Sequence, residues 1–247
     1  MKRAALIVLL ILCAWAIALL TRWPAAWAIA MMQPLPLSAP IGTLWRGSAQ
    51  PVAANTAAAI PRLTWRWRPG DLRQGRFAHA LTLSGAAHHG NAIFSIAPLA
   101  DWRIDVARLN APLHALPDWF PAAAIRPRGD LTASTLTIAH NGKAFTAARG
   151  VLQWRNAGLP WPASNRLGVI QAQPEIRHGA LRLNITGNGG QLDLDGWLEL
   201  APDLSRFDLQ IQLNPTPNLP AQDRQWLNAA LPRQADGRFL LSFGSAF

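Results

Sequence analysis

From Leu63 onward the chain alternates between apolar and polar positions. Leu181, Leu183 and Ile185 are separated by Arg182, Asn184 and Thr186. After Gly187-Asn188-Gly189-Gly190, Leu192, Leu194, Leu198 and Leu200 alternate with Asp193, Asp195, Trp197 and Glu199. Successive side chains of a strand point to opposite faces, so this period of two predicts a hairpin with one dry and one wet face. A third run, Phe207, Leu209, Ile211 and Leu213 between Arg206, Asp208, Gln210 and Gln212, follows the Ala201 to Ser205 connection. Three such strands in succession predict an antiparallel meander whose continuous apolar face must be covered.

The pattern occurs earlier as well, at an offset near 104 residues: Arg73-Gln74-Gly75 aligns with Arg177-His178-Gly179, Ala97-Pro98 with Ala201-Pro202, and Leu109-Asn110 with Leu213-Asn214. Arg103 with Asp105 aligns with Arg206 and Asp208. Leu63 to Arg66 (Leu-Thr-Trp-Arg) also resembles Leu152 to Arg155 (Leu-Gln-Trp-Arg), Trp119 resembles Trp226, and Gly129 resembles Gly237. The expected fold is therefore mainly β: antiparallel meanders in an internal two-fold repeat, about 63–143 and 150–247. Each half would close with a strand, Asp130 to Ile138 or Arg238 to Phe243. Short helices at Pro117 to Ala124 and Pro220 to Leu231 would cover the core, the second through Trp226, Leu227, Ala230 and Leu231.

A different pattern occupies the amino terminus. Residues 1–3, Met1, Lys2 and Arg3, precede 17 uncharged residues, Ala4 to Leu20. At ~1.5 Å rise per residue the run covers about 25 Å, and Thr21, Arg22 and Trp23 extend it toward a ~30 Å hydrocarbon core. Residues 4–23 thus read as a transmembrane helix carried by Leu6, Ile7, Val8, Leu9, Leu10, Ile11, Leu12, Leu19 and Leu20. Lys2 and Arg3 keep its start in the cytoplasm, so the body is exported, a single-pass topology. A cleaved signal peptide is the rival reading, with small-residue sites at Ala26-Trp27-Ala28 and Ala28-Ile29-Ala30. Residues 24–40 contain Pro24, Pro34, Pro36 and Pro40 and read as an extended linker, with the β body over 41–247.

Charge changes this picture little. The formal net charge is +10, yet the arginines are spread from Arg3 to Arg238 and the only lysines are Lys2 and Lys143. A nucleic-acid partner is not expected, because no basic stripe is formed. Cys13 is the only cysteine, which excludes an intramolecular disulfide and a thiolate metal cage.

The chemistry is sparse. There is no Gly-x-Ser-x-Gly and no His-Glu-x-x-His, and Gly142-Lys143 lacks the rest of a phosphate loop. Gly187 to Gly190 precedes a strand instead of a helix, so it is a turn and not a dinucleotide loop. Asp193 and Asp195 share a face about 7 Å apart, an ordinary feature of a wet strand face. His88 and His89 read as solvated turn residues, and His79, His114, His140 and His178 have no ligand spacing. No catalytic, cofactor-binding or metal-binding residues are assigned, and an enzyme is not expected.

Gly42-Thr43-Leu44-Trp45-Arg46-Gly47-Ser48-Ala49 resembles the Gly-Thr-Val-Trp-x-Gly-x-Ala opening of the type II secretion system protein N family. Leu63 to Trp65, Gly150 to Trp154 and Ala235-Asp236-Gly237-Arg238-Phe239 follow in that family's order, so the resemblance spans the chain. Gly42, Thr43, Trp45, Gly47, Trp65, Trp154 and Gly237 would then be structural motif residues that set bends and packed indoles. The resemblance implies an accessory inner-membrane component of a Gram-negative apparatus that exports folded proteins from the periplasm through an outer-membrane secretin. Its partners would be other apparatus subunits, the secretin or the inner-membrane platform, with membrane lipid met through the anchor. The family also looks like periplasmic β-groove proteins, which leaves a lipid-binding or lipid-handling module as the alternative.

Overall fold

The computed structural model describes Pro24 and residues 37–51, 61–113, 128–159 and 165–246. The strands are β1 (Leu37–Gly42), β2 (Arg46–Pro51), β3 (Arg62–Trp67), β4 (Phe77–Ser84), β5 (His89–Ala97), β6 (Asp101–Pro112) and β7 (Arg128–Asn141). They continue with β8 (Phe145–Leu159), β9 (Asn165–Arg177), β10 (Ala180–Asn188), β11 (Leu192–Leu200), β12 (Arg206–Pro215) and β13 (Phe239–Ala246). All 13 lie in one sheet in sequence order, every neighbour antiparallel. A 3-10 turn, Pro69–Gln74, joins β3 to β4, and one α-helix, α1 (Ala221–Ala230), lies between β12 and β13.

The register extends the period-two reading across the whole sheet. Directly paired residues share a face. One row from β2 to β13 runs Ala49, Leu63, Leu83, Gly90, Leu109, Ala133, Leu152, Ala172, Ile185, Gly196, Ile211 and Leu241. No member is polar. One residue along, the row Arg62, Ser84, His89, Asn110, Thr132, Gln153, Gln171, Thr186, Asp195 and Gln212 faces the other way and is polar until β13, where Gln212 pairs with Leu240. A one-residue slip in any strand would carry its leucines to the wet side, and this fixes the register.

The apolar face is covered unevenly. At its carboxy-terminal end Ala157, Leu167, Leu192, Leu194, Leu213 and Phe239 form a buried cluster with Leu219 and with Leu227 of α1. Elsewhere Leu63, Leu83, Leu109, Leu152 and Ile185 are only half-buried. α1 starts behind Pro220, whose missing N–H is no loss at a helix start, and Leu231 leaves it in extended conformation.

Four expectations need correction. The β body begins at Leu37, inside the stretch read as linker, where β1 pairs with β2 across an irregularity between Ser38 and Ile41. The strand read as closing a first half, Asp130 to Ile138, is the middle of the long interior strand β7, hydrogen-bonded on both sides. Ala230 is exposed, whereas Leu227 is buried and Trp226 and Leu231, both half-buried, pack against the same cluster. His88 is 3% exposed and so is not a solvated turn residue. The described residues contain no helix long and apolar enough to cross a membrane. Residues 4–23, from Leu6 to Leu20 of the expected anchor, and the helix expected at Pro117 to Ala124 lie outside the described residues.

Candidate functional site

Five of the motif residues converge at the start of the sheet. Gly42 ends β1 at φ 100°, where a Cβ would stand 2.5 Å from the Arg46 carbonyl oxygen, so the bend requires glycine. The turn closes through the Thr43 N–H donating to that carbonyl at 2.9 Å, while the Arg46 N–H donates to the Thr43 hydroxyl. Beyond the turn Gly47 pairs with Trp65 of β3, and the indole N–H of Trp65 donates to the Thr43 carbonyl at 3.0 Å. The indole thus crosses the β2 backbone at the one residue without a side chain.

Trp45, at the tip, packs edge-on against Trp67 (4.6 Å between centroids) and Phe77 (5.7 Å). Phe77 in turn meets the ring of His79 at 4.9 Å. His79 Nε2 donates to the Leu44 carbonyl at 2.9 Å, which assigns the proton to Nε2. Burial lowers its pKa from 6.5, and the carbonyl bond only partly offsets this. The knot therefore ties the β1–β2 turn to β3 and β4 by aromatic packing and two side-chain hydrogen bonds.

Trp154 of β8 repeats the device: its indole N–H donates to the Arg128 carbonyl at 2.7 Å, beside Gly129 at φ 107°. Gly237, at φ 85°, makes the turn into β13, closed by Gly237 N–H to Gln234 O and Gln234 N–H to Arg238 O. Hence Gly42, Thr43, Trp45, Gly47 and Trp65 come together, while Trp154 and Gly237 act at separate places.

On the polar face, a groove of about 700 Å³ is lined by Arg46, Arg62, Arg66, Ser48 and Thr64. It shares Ala80 and Thr82 with a second groove, of about 680 Å³, that reaches Asp105, Thr137 and Arg149. Arg103 grips Asp105 with two hydrogen bonds, at 2.7 and 2.9 Å, and the Thr137 hydroxyl adds a third at 2.8 Å. The Arg103 guanidinium, aided by Thr137, holds the Asp105 carboxyl below the usual carboxylate range against partial burial. A carboxylate so saturated is a poor general base.

Asp193 and Asp195 pair with Asn214 and with Thr186 and Gln212 in the strand ladder. No group of three His, Cys, Asp or Glu is placed to hold a metal among the described residues. Sequence reasoning missed His140, which accepts from the Gly142 N–H at Nδ1 (2.9 Å) and donates from Nε2 to the Pro202 carbonyl (2.7 Å). Those partners fix the neutral tautomer. It also missed Asp223, buried in the first turn of α1 with Oδ1 lacking a hydrogen-bond partner. His140 continues the Leu136 and Ile138 alternation onto the apolar face, a signal that could have found it, whereas Asp223 stands in no such pattern.

A sequential antiparallel meander with two tryptophans bolted to neighbouring backbone defines an all-β scaffold. The profile of type II secretion system protein N matches residues 33–242, and the chain belongs to that family. It is thus a type II secretion component. No curated protein and no solved structure matches it.

Proposed function

We propose that the chain is an accessory subunit of the type II secretion apparatus. Residues 4–23 hold it in the inner membrane with the amino terminus in the cytoplasm, and the β body works in the periplasm through protein contacts with the secretin or the inner-membrane platform. The observation that carries this reading is the family match across nearly the whole body. The expected internal duplication is supported by topology: the offset of about 104 residues carries β4, β5, β6 and β7 onto β10, β11, β12 and β13. Deleting the chain should strand type II substrates in the periplasm while general export stays normal, and a photocrosslinker in the body should capture another apparatus subunit. Normal secretion in the deletion strain would refute the reading.

A second reading, lipid handling, is favoured by the half-buried apolar row that spans the sheet. Phospholipid co-purifying at fixed stoichiometry with the detergent-exchanged chain, and altered outer-membrane lipid in the deletion strain, would support it over the first.

A further inference from the structure

In a sequential antiparallel sheet, every connection from an odd-numbered strand to the next lies at one end. Elements on this rim touch: the Phe145 N–H, just after the β7–β8 turn, donates to the Gly179 carbonyl in the β9–β10 turn, and His140, near the end of β7, reaches the Pro202 carbonyl in the β11–β12 turn.

Two turns there hold leucine where glycine or asparagine is usual. Leu99, between β5 and β6, has φ 65°, and Leu204, between β11 and β12, has φ 61°. Neither gains burial for the strain, since Leu99 is 90% and Leu204 40% exposed. Leu72, in the 3-10 turn of the same rim, is 50% exposed, and Ile41, Ile96 and Ile176 sit exposed at strand ends beside these turns. Exposed apolar residues gathered at one edge mark a contact surface, and strained backbone that displays them points the same way.

The position of Pro24 identifies the partner. Pro24 bridges to Thr43 in the β1–β2 turn, so the chain reaches the sheet at this rim directly after the apolar run 4–23. Arg73, Lys143 and Arg206 lie in or next to the same turns. The acidic groups of these turns, Asp71, Asp101 and Asp203, are outnumbered, Asp71 and Asp101 being ion-paired with Arg68 and Arg76. Exposed leucines on a rim with excess cations suit an anionic bilayer surface.

We propose that this rim rests on the bilayer that holds residues 4–23, with Leu72, Leu99 and Leu204 dipping among the headgroups. The inference rests on the anchor reading under Proposed function. It orients the body with β-strands rising from the membrane, the polar grooves to one side and the opposite rim away from the lipid.

The test uses the full chain with Cys13→Ala and a single cysteine at Leu99→Cys, Leu204→Cys or, on the opposite rim, Asn188→Cys. Each is labelled with a nitrobenzoxadiazole dye and reconstituted into phosphatidylethanolamine–phosphatidylglycerol vesicles with or without brominated acyl chains. Brominated lipid should quench the dye at 99 and 204 several-fold more than at 188. Co-flotation with equal quenching at all three sites overturns the rim contact and leaves the anchor standing. Failure to co-float overturns the anchor and the rim contact with it. Dyes at 99 and 204 shielded from aqueous iodide but untouched by brominated lipid would mean a protein contact, which also overturns the proposal.

Discussion

The indole of Trp65 occupies the space that a side chain at Gly47 would need: a Cβ there would stand 2.4 Å from its Cζ2. The Ile41 carbonyl oxygen, 2.6 Å away on the other side, leaves no room to retreat. Gly47→Ala should therefore lower stability by about 2–4 kcal/mol, through overpacking against ring and backbone together. Thermal or urea unfolding of the variant measures it, and a neutral result would remove the knot from the stability argument.

Trp65→Phe and Trp154→Phe keep an aromatic ring but lose the N–H that reaches Thr43 and Arg128. Each should cost about 1–2 kcal/mol, the loss of one hydrogen bond plus a modest packing defect. The cost should be larger at Trp65, whose bond is part-buried over Gly47, than at Trp154, whose bond is exposed.

His79 gives the β1–β2 knot a pH dependence. Its pKa is lowered in the folded state by burial, so the unfolded chain binds more protons as pH falls below 6.5. The stability it contributes is fully present above that value and declines as pH drops through 6.5 toward the folded pKa. Unfolding midpoints should fall between about pH 7.5 and about pH 5, and His79→Gln, which keeps a donor for Leu44, should flatten that part of the curve.

Leu209 pairs with Leu198 and Phe243 on the apolar face, while Asp208 pairs with Glu199 on the polar one. Leu209→Asp should cost about 2–4 kcal/mol by placing a charge among leucines, and Asp208→Asn under ~1 kcal/mol. Reversed sensitivities in equilibrium unfolding would shift the register of β12 by one residue.

His140 ties β7 to the turn after β11 across 62 positions of sequence. His140→Ala should cost about 2–4 kcal/mol by removing a buried ring that packs on Trp102 and Phe145 together with its two hydrogen bonds, and should raise amide exchange at Leu204 and Ser205 more than in β10. Uniform acceleration across the sheet would instead mean a global effect.

The predicted hairpin of β10 and β11 and the meander through β12 were legible because one face is dry, and a two-residue period leaves a single register that keeps it so. The same rule could not place His88 or Asp223. Whether a polar side chain at a turn or helix start is buried depends on which distant segment folds over it, and local alternation holds no record of that. The Gly42, Trp45 and Gly47 motif lay open in the sequence as a set of types. That Gly47 makes room for Trp65, 18 positions further along, required the β2–β3 pairing.

Alternation, turn glycines and the family's ordered motifs by themselves determined a mainly β secretion component, since each depends on residues near one another in the chain. Tertiary structure alone decided that all 13 strands join one sheet, that β7 is interior, and that Leu72, Leu99 and Leu204 share a rim with Pro24. Hydrogen bonds between strand edges are made by backbone, which is the same for every residue except proline. Side-chain pattern can therefore specify which face of a strand is wet, while the extent of the sheet and the turns gathered at its end emerge only when the edges meet.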